Sequence, residues 1–267
     1  MKLSRLAAIP LRQFYLYRGS AARVVPLFAW VTVDMVLWGF MTKFLGGLAQ
    51  TNYRFVPALL GAVLFWDFMT RVMQGVTMAF FEDVWSRNFL NVFASPITVP
   101  EYIGGLLLSS IATSLVGLVV MVVVAALAFG LRFTAYGAML IPFVLVLFLF
   151  GTSLGIAAIA IVLRLGPAAE WFVWPIPALI SPFATVYYPL TTLPVPLQWI
   201  ARLLPPSYVF EGMRAVVAGQ GFSSGMLGTA FALAVIYMLV AYWLFTRVFR
   251  YAVKTGLIAR YSAETVS

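Results

Sequence analysis

Asp67 and Arg71 stand four residues apart inside "ALLGAVLFWDFMTRVMQGV", an otherwise apolar stretch. In a helix that spacing puts both side chains on one face, within reach of an ion pair. Asp34 sits in the preceding apolar run. At about 1.5 Å of rise per residue it falls at a similar depth. Charges inside such runs are expensive and mark helix contacts, ion pathways or proton relays. Two readings therefore stand side by side. The cluster holds two helices together, or it carries a proton or cation. The first is preferred, because an Asp–Arg pair neutralises itself and needs no traffic to explain it.

Two further stretches carry chemistry. "FEDVWSRNFLNVFASP", residues 81–96, mixes Glu82, Asp83, Arg87, Asn88 and Asn91 with Trp85, Phe89, Leu90 and Phe93. Charges of both signs beside aromatic anchors suit a contact with a soluble protein. They also suit an amphipathic loop resting on lipid headgroups. "LPPSYVFEGMRAV" spaces Tyr208, Glu211 and Arg214 three apart. A helix started by Pro205 and Pro206 places all three on one face. Glu211 then pairs with Arg214, or with Arg202 of an adjoining helix.

Other chemistry is missing. The chain has no Cys and no His, which removes thiols, disulfides and the commonest metal ligands. No G-x-x-x-x-G-K-[ST] loop cradles a phosphate. No acid pair resembles a catalytic dyad. The chain is not expected to be an enzyme, nor to hold a metal or a cofactor of its own. If it moves something, the energy has to come from a partner or an ion gradient.

The elements that position these residues follow from composition. Of 267 residues, 63% are hydrophobic and 9% charged, and the mean hydropathy is +1.01. No soluble domain of this size hides so much apolar surface, so the solvent is a bilayer and the spanning elements are helices. The net charge of +9 gathers at membrane edges, and nucleic acid is not an expected partner. A span needs about 20 apolar residues, and six segments qualify, at about 24–43, 55–80, 102–130, 137–163, 171–189 and 226–248.

Lys and Arg set the orientation. Lys2, Arg5, Arg12, Arg18 and Arg23 precede the first span, and Arg247, Arg250, Lys254 and Arg260 follow the last. Arg87 and Arg164 lie in loops on the same side. The opposite side carries Lys43, Arg54, Arg132, Arg202 and Arg214. Both termini are expected in the cytoplasm, with residues 81–101 forming a cytoplasmic loop and 249–267 a cytoplasmic tail. Residues 1–23 have no continuous apolar core, unlike a signal peptide. Leu3, Leu6, Ile9, Phe14 and Leu16 give them a partly amphipathic pattern, interrupted by Pro10, that suits a surface helix with its basic side chains toward headgroups.

Residues 190–225 are too apolar for a free loop. Leu197, Trp199, Ile200, Leu203 and Leu204 suit one short helix. Tyr208, Val209, Met213 and Val216 suit another, with the two prolines between them. Pro175, Pro177, Pro182 and Pro189 predict that the fifth span is kinked. Gly151 and Gly155, and the stripe Ser110, Ser114, Gly117, allow close helix approach in lipid. The whole chain reads as one transmembrane domain.

Six spans, an amphipathic N-terminal segment, a polar loop after span two and a re-entrant element before span six resemble an ABC-2 type transporter permease, the membrane subunit of an ABC exporter. "EDVWSRNFLNVFASPIT" is similar to the family's polar segment, and Pro205, Tyr208, Glu211 and Arg214 match its P-x-x-Y-x-x-E-x-x-R stretch. Pro-Pro stands where the family often has Asn-Pro, which alters the cap of the outer helix. The resemblance implies a coupling helix at Glu82, Asp83, Trp85, Arg87, Asn88, Phe89, Leu90 and Phe93, seated in a separate ATPase. It implies two permease copies and two ATPase copies, with ATP and Mg bound by the partner. It also implies an outer gate at Tyr208, Glu211 and Arg214, a bacterial cytoplasmic membrane, and a lipid-like, glycan-linked or otherwise amphipathic substrate. The rivals are an ion-driven carrier using Asp34 and Asp67, and a membrane scaffold that transports nothing.

Overall fold

The computed structural model describes residues 3–48, 55–86, 91–92, 95–131, 133–221 and 223–257. The central element is α3, Phe55–Trp85. Most of its side chains from Leu59 to Val84 are buried. Two neighbours reach it through small residues. On α5, Leu140–Leu165, a Cβ at Gly151 would stand 2.6 Å from the Met69 carbonyl oxygen. One at Gly155 would stand 2.8 Å from Val76 Cβ. On α4, Val99–Phe129, the Ser110 hydroxyl donates to the Val72 carbonyl at 2.8 Å. Gly75 of α3 faces it with no room for a side chain. The small-residue stripes thus set how closely the helices approach.

The chain enters through α1, Leu3–Arg18, and rises in α2, Ala21–Leu48. Val31, Met35, Gly39 and Thr42 form the buried stripe of α2, at the helical spacing that lets it lie on α3 and α4. Its other faces expose Trp30, Leu37, Phe40 and Phe44. α3 descends, α4 rises, and α5 descends again. Between α4 and α5, Phe133–Met139 forms two short helical turns that break at Gly137, where φ is +55°. This segment drops Tyr136 edge-on against Phe65 and over Gly61, where a Cβ would collide with its hydroxyl.

After α5 the helical path breaks. Pro167–Phe172 is a 3-10 helix, α6 covers only Ile176–Ile180, and irregular backbone leads to Leu190. The expected fifth span, 171–189, is therefore not a helix. Pro175, Pro177, Pro182 and Pro189 remove four backbone donors from the stretch, more than a continuous helix tolerates. Two short helices follow, α7 at Val195–Arg202 and α8 at Pro205–Val217, with Pro205 and Pro206 opening α8. They match the two expected in the excursion. α9, Ser224–Lys254, then descends along α5.

Among the described residues, four helices are long and apolar enough to cross a membrane: Ala21–Gly47, Val99–Phe129, Tyr136–Leu165 and Ser224–Lys254. α3 is equally long at 31 residues, but Asp67, Arg71 and Gln74 interrupt its apolar run. The molecule is an all-helical, multi-pass membrane protein. Its two ends differ. The near end carries α1, the α3–α4 loop and the last turns of α5 and α9. The far end carries α7, α8 and the 133–139 turn.

Candidate functional site

The charged residues gather at three levels. At mid-height on α3, Arg71 Nε donates to Asp67 Oδ2 at 2.9 Å, as the four-residue spacing predicts. Arg71 also lies 3.8 Å from Asp34 on α2. The cluster bridges the two helices. Its partners are unequal: the Asp34 side chain is 45% exposed, that of Asp67 17%.

Below the cluster runs a feature that the sequence reading missed. Asp67, Thr70, Arg71, Gln74, Met78 and Glu82 line one cavity of about 920 Å³. Their spacing of three or four residues keeps them on one face of α3, over about 22 Å of helix. The opposite wall is Arg23, Trp30 and Asp34 of α2, and Tyr17, Trp85 and Trp174 add aromatic surface. The Thr70 hydroxyl, at the cavity's edge, is buried with no hydrogen-bond partner. The signal was present in the sequence as polar residues recurring at helical spacing, Asp67, Thr70, Arg71, Gln74 and Glu82, along an apolar helix.

At the near end, three ion pairs tie α1 and the start of α2 to the flanks of the α3–α4 loop. Arg12 donates to Asp83. Arg23 lies 3.3 Å from Glu82, and Arg5 lies 3.8 Å from Glu101. Glu101 also accepts the Thr98 backbone N–H at 3.0 Å, capping α4. Ile9 fills the space over Gly105, where a Cβ would stand 2.7 Å from its Cδ1. With these contacts α1 continues through Pro10, which does not interrupt it as expected. Three of the five basic residues expected to face headgroups instead face carboxylates.

Asp83 is turned inward at this end. Its side chain is 1% exposed, and its second oxygen accepts the Tyr102 hydroxyl at 3.2 Å. Glu82 is half-buried against Arg23. Burial, and then the Glu82 carboxylate, push the Tyr17 hydroxyl above the usual phenol range. Trp85 is 43% exposed and donates from Nε1 to Glu170 at 2.9 Å. Arg87, Asn88, Phe89, Leu90 and Phe93 lie outside the described residues. Residues 81–85 complete α3 and 99–101 begin α4, so the loop itself is shorter than the expected 81–101.

At the far end, Arg214 Nη2 lies 2.7 Å from Glu211 Oε1. Glu211 chooses Arg214 over Arg202, which stacks on Trp199 at 5.1 Å. Tyr208 donates to the Arg202 carbonyl at 2.9 Å, joining α8 to α7. The pair does more than pair. Arg214 donates to the carbonyls of Thr185 at 2.7 Å and Val186 at 3.3 Å. Glu211 accepts the Leu190 N–H at 2.8 Å. Together they replace helical partners for the broken stretch, which irregular backbone at membrane depth requires. Thr185 holds φ at +54°, a strained position for a β-branched residue. Arg214 fixes that residue's own carbonyl.

The fold and these three levels define a class: a membrane transport component whose helical bundle carries a cavity lined by charged and aromatic residues. The chain belongs to the ABC-2 type transporter family, whose model matches residues 13–218. The match spans α2 to α8 and includes the mid-height and far-end charges, while Arg5 and Arg12 of the near-end pairs precede it. Among curated proteins, none matches the chain.

Proposed function

We propose that the chain is the permease subunit of an ATP-driven exporter in a bacterial cytoplasmic membrane. Two copies form the pathway, and two copies of a separate ATPase bind ATP and Mg and drive it. The near end then faces the cytoplasm, with both termini. The observation that carries this reading is the polar face of α3 turned into a cavity of about 920 Å³. A helix packed only against apolar neighbours has no reason to keep a polar face of Asp67, Thr70, Arg71, Gln74 and Glu82. A route for an amphipathic molecule does need one.

Coupling follows from the ion pairs. A force on the α3–α4 loop pulls Glu82, Asp83 and Glu101, and these are bound to Arg23, Arg12 and Arg5. α1 and the foot of α2 move with the loop, and the foot of α2 forms the mouth of the cavity. Trp85, with Arg87, Asn88, Phe89, Leu90 and Phe93, then serves as the surface seated in the ATPase. At the far end the Tyr208, Glu211 and Arg214 brace acts as the outer gate.

The test is recovery of an ATP-hydrolysing partner with the tagged chain from its native membrane. Arg87→Glu combined with Phe89→Ala should detach that partner while the permease remains folded. Undiminished recovery removes the coupling assignment. A second reading, an ion-driven carrier, takes its support from the half-paired Asp34. Uptake into inverted vesicles that follows the proton gradient without ATP selects it.

A further inference from the structure

The cavity between α2 and α3 is not neutral. Its walls carry three carboxylates, Asp34, Asp67 and Glu82, and two guanidiniums, Arg23 and Arg71. Each guanidinium is committed. Arg71 donates to Asp67 at 2.9 Å, and Arg23 lies 3.3 Å from Glu82. Asp34 is left with a share of Arg71 at 3.8 Å, beyond hydrogen-bond length. It is also the most open of the three carboxylates, with 45% of its side chain exposed. One negative charge therefore stands in the route with spare acceptor capacity. In a setting poorer in water than the surface, that charge favours a mobile cation strongly over an anion.

The other lining residues say which kind of cation. A metal ion needs several oxygen ligands at once. Among the described residues no group of three acidic side chains is placed to hold one. The cavity is lined instead by Trp30 and Trp174. Tryptophan faces attract organic cations, and a volume of this size suits a molecule of drug dimensions. Resting on the reading of this cavity as the transport route, we propose that it binds amphipathic organic cations, with Asp34 as their counter-ion.

The experiment compares two probes of equal shape and opposite charge. Tetraphenylphosphonium and tetraphenylborate are equilibrated with the full chain in nanodiscs of neutral lipid, and binding to empty nanodiscs is subtracted. The phosphonium should bind at least tenfold more tightly than the borate. Asp34→Asn should erase that preference, and Asp34→Glu should keep it, with melting temperature recorded for both. Equal binding, preference for the borate, no binding of either ion, or an unchanged preference in Asp34→Asn overturns the proposal. Should Asp34→Asn fail to fold, the two ions on the unmodified chain decide alone. No ATPase takes part, so failure here leaves the ATP-driven reading to be judged by partner recovery.

Discussion

Along α3, the side turned to α4 and α5 and the side turned to α2 are built by opposite rules. Toward α5 the contact is backbone against backbone, with Gly151 and Gly155 on Met69, Val72, Met73 and Val76. Toward α4, Ser110 and Gly75 meet with no room for another carbon. Toward α2 the helix keeps polar groups and leaves about 920 Å³ unfilled. In lipid, helices gain nothing from hiding apolar surface, so close van der Waals fit must hold them together. The glycine side supplies that fit. The polar side gives it up, and on the proposed transport reading α2 is the wall that moves against the α3–α4–α5 core.

The sharpest way to break this comparison is to crowd the closed side. Gly155→Leu adds four carbons where even the first would stand 2.8 Å from Val76 Cβ and 3.0 Å from the Met73 carbonyl oxygen. The loss should be about 3 kcal/mol, the upper end for overpacking. A fall in folded yield and in melting temperature in detergent checks it. A variant as stable as the parent would mean that α5 can slide off α3, and the fixed core would be lost with it.

Next comes the charge cluster at the boundary between the two sides. Arg71→Ala strands Asp67 in a half-dry site. We expect a loss of about 2 kcal/mol, below the figure for fully buried pairs because the cavity admits water. Arg71→Ala with Asp67→Asn should recover at least half of that loss. Equal stability in both variants, with transport abolished in each, would turn the cluster from a helix brace into a relay. At the far end, Glu211→Ala removes an ion pair and the acceptor of the Leu190 N–H. It should lower stability by about 1 kcal/mol, reduce export and leave partner recovery intact. Cysteines placed at 208 and 211 should react with a membrane-impermeant thiol reagent in intact cells, a clean test because the chain has no cysteine of its own. Reaction only after permeabilisation would overturn the orientation.

What the sequence disclosed was mostly local. Asp67 with Arg71, and Glu211 with Arg214, are spaced so that any helix brings them together. Pro205 and Pro206 placed the start of α8. The small stripes on α4 and α5 were visible, though not which helix they faced. Long-range pairing was hidden: nothing near Arg12 announces Asp83, 71 residues away. The broken stretch at 171–189 looked like a kinked span because its hydropathy is high. Hydropathy reports solvent preference, and four prolines decide backbone path independently of it. α3 was read through its two charges, when the repeat of Thr70, Gln74 and Glu82 at helical spacing held the fuller signal.

The smallest expected effect separates the two sides most cleanly. Thr70 presents a buried hydroxyl with no hydrogen-bond partner, and a helical threonine ordinarily bonds back to a carbonyl on the preceding turn. Thr70→Val keeps the shape and deletes the unpaired group. Where a polar group is buried and unsatisfied, its removal is neutral or stabilising. The variant should therefore gain about 0.5 kcal/mol, read as a small rise in melting temperature, and yet transport more slowly. A gain in stability with a loss in function is what a wall kept for a passing molecule requires, and packing alone does not produce it. A loss of stability would mean that the hydroxyl has a partner. Unchanged transport would return the upper part of the polar face to the role of filler, and α2 would lose its claim to be the moving wall.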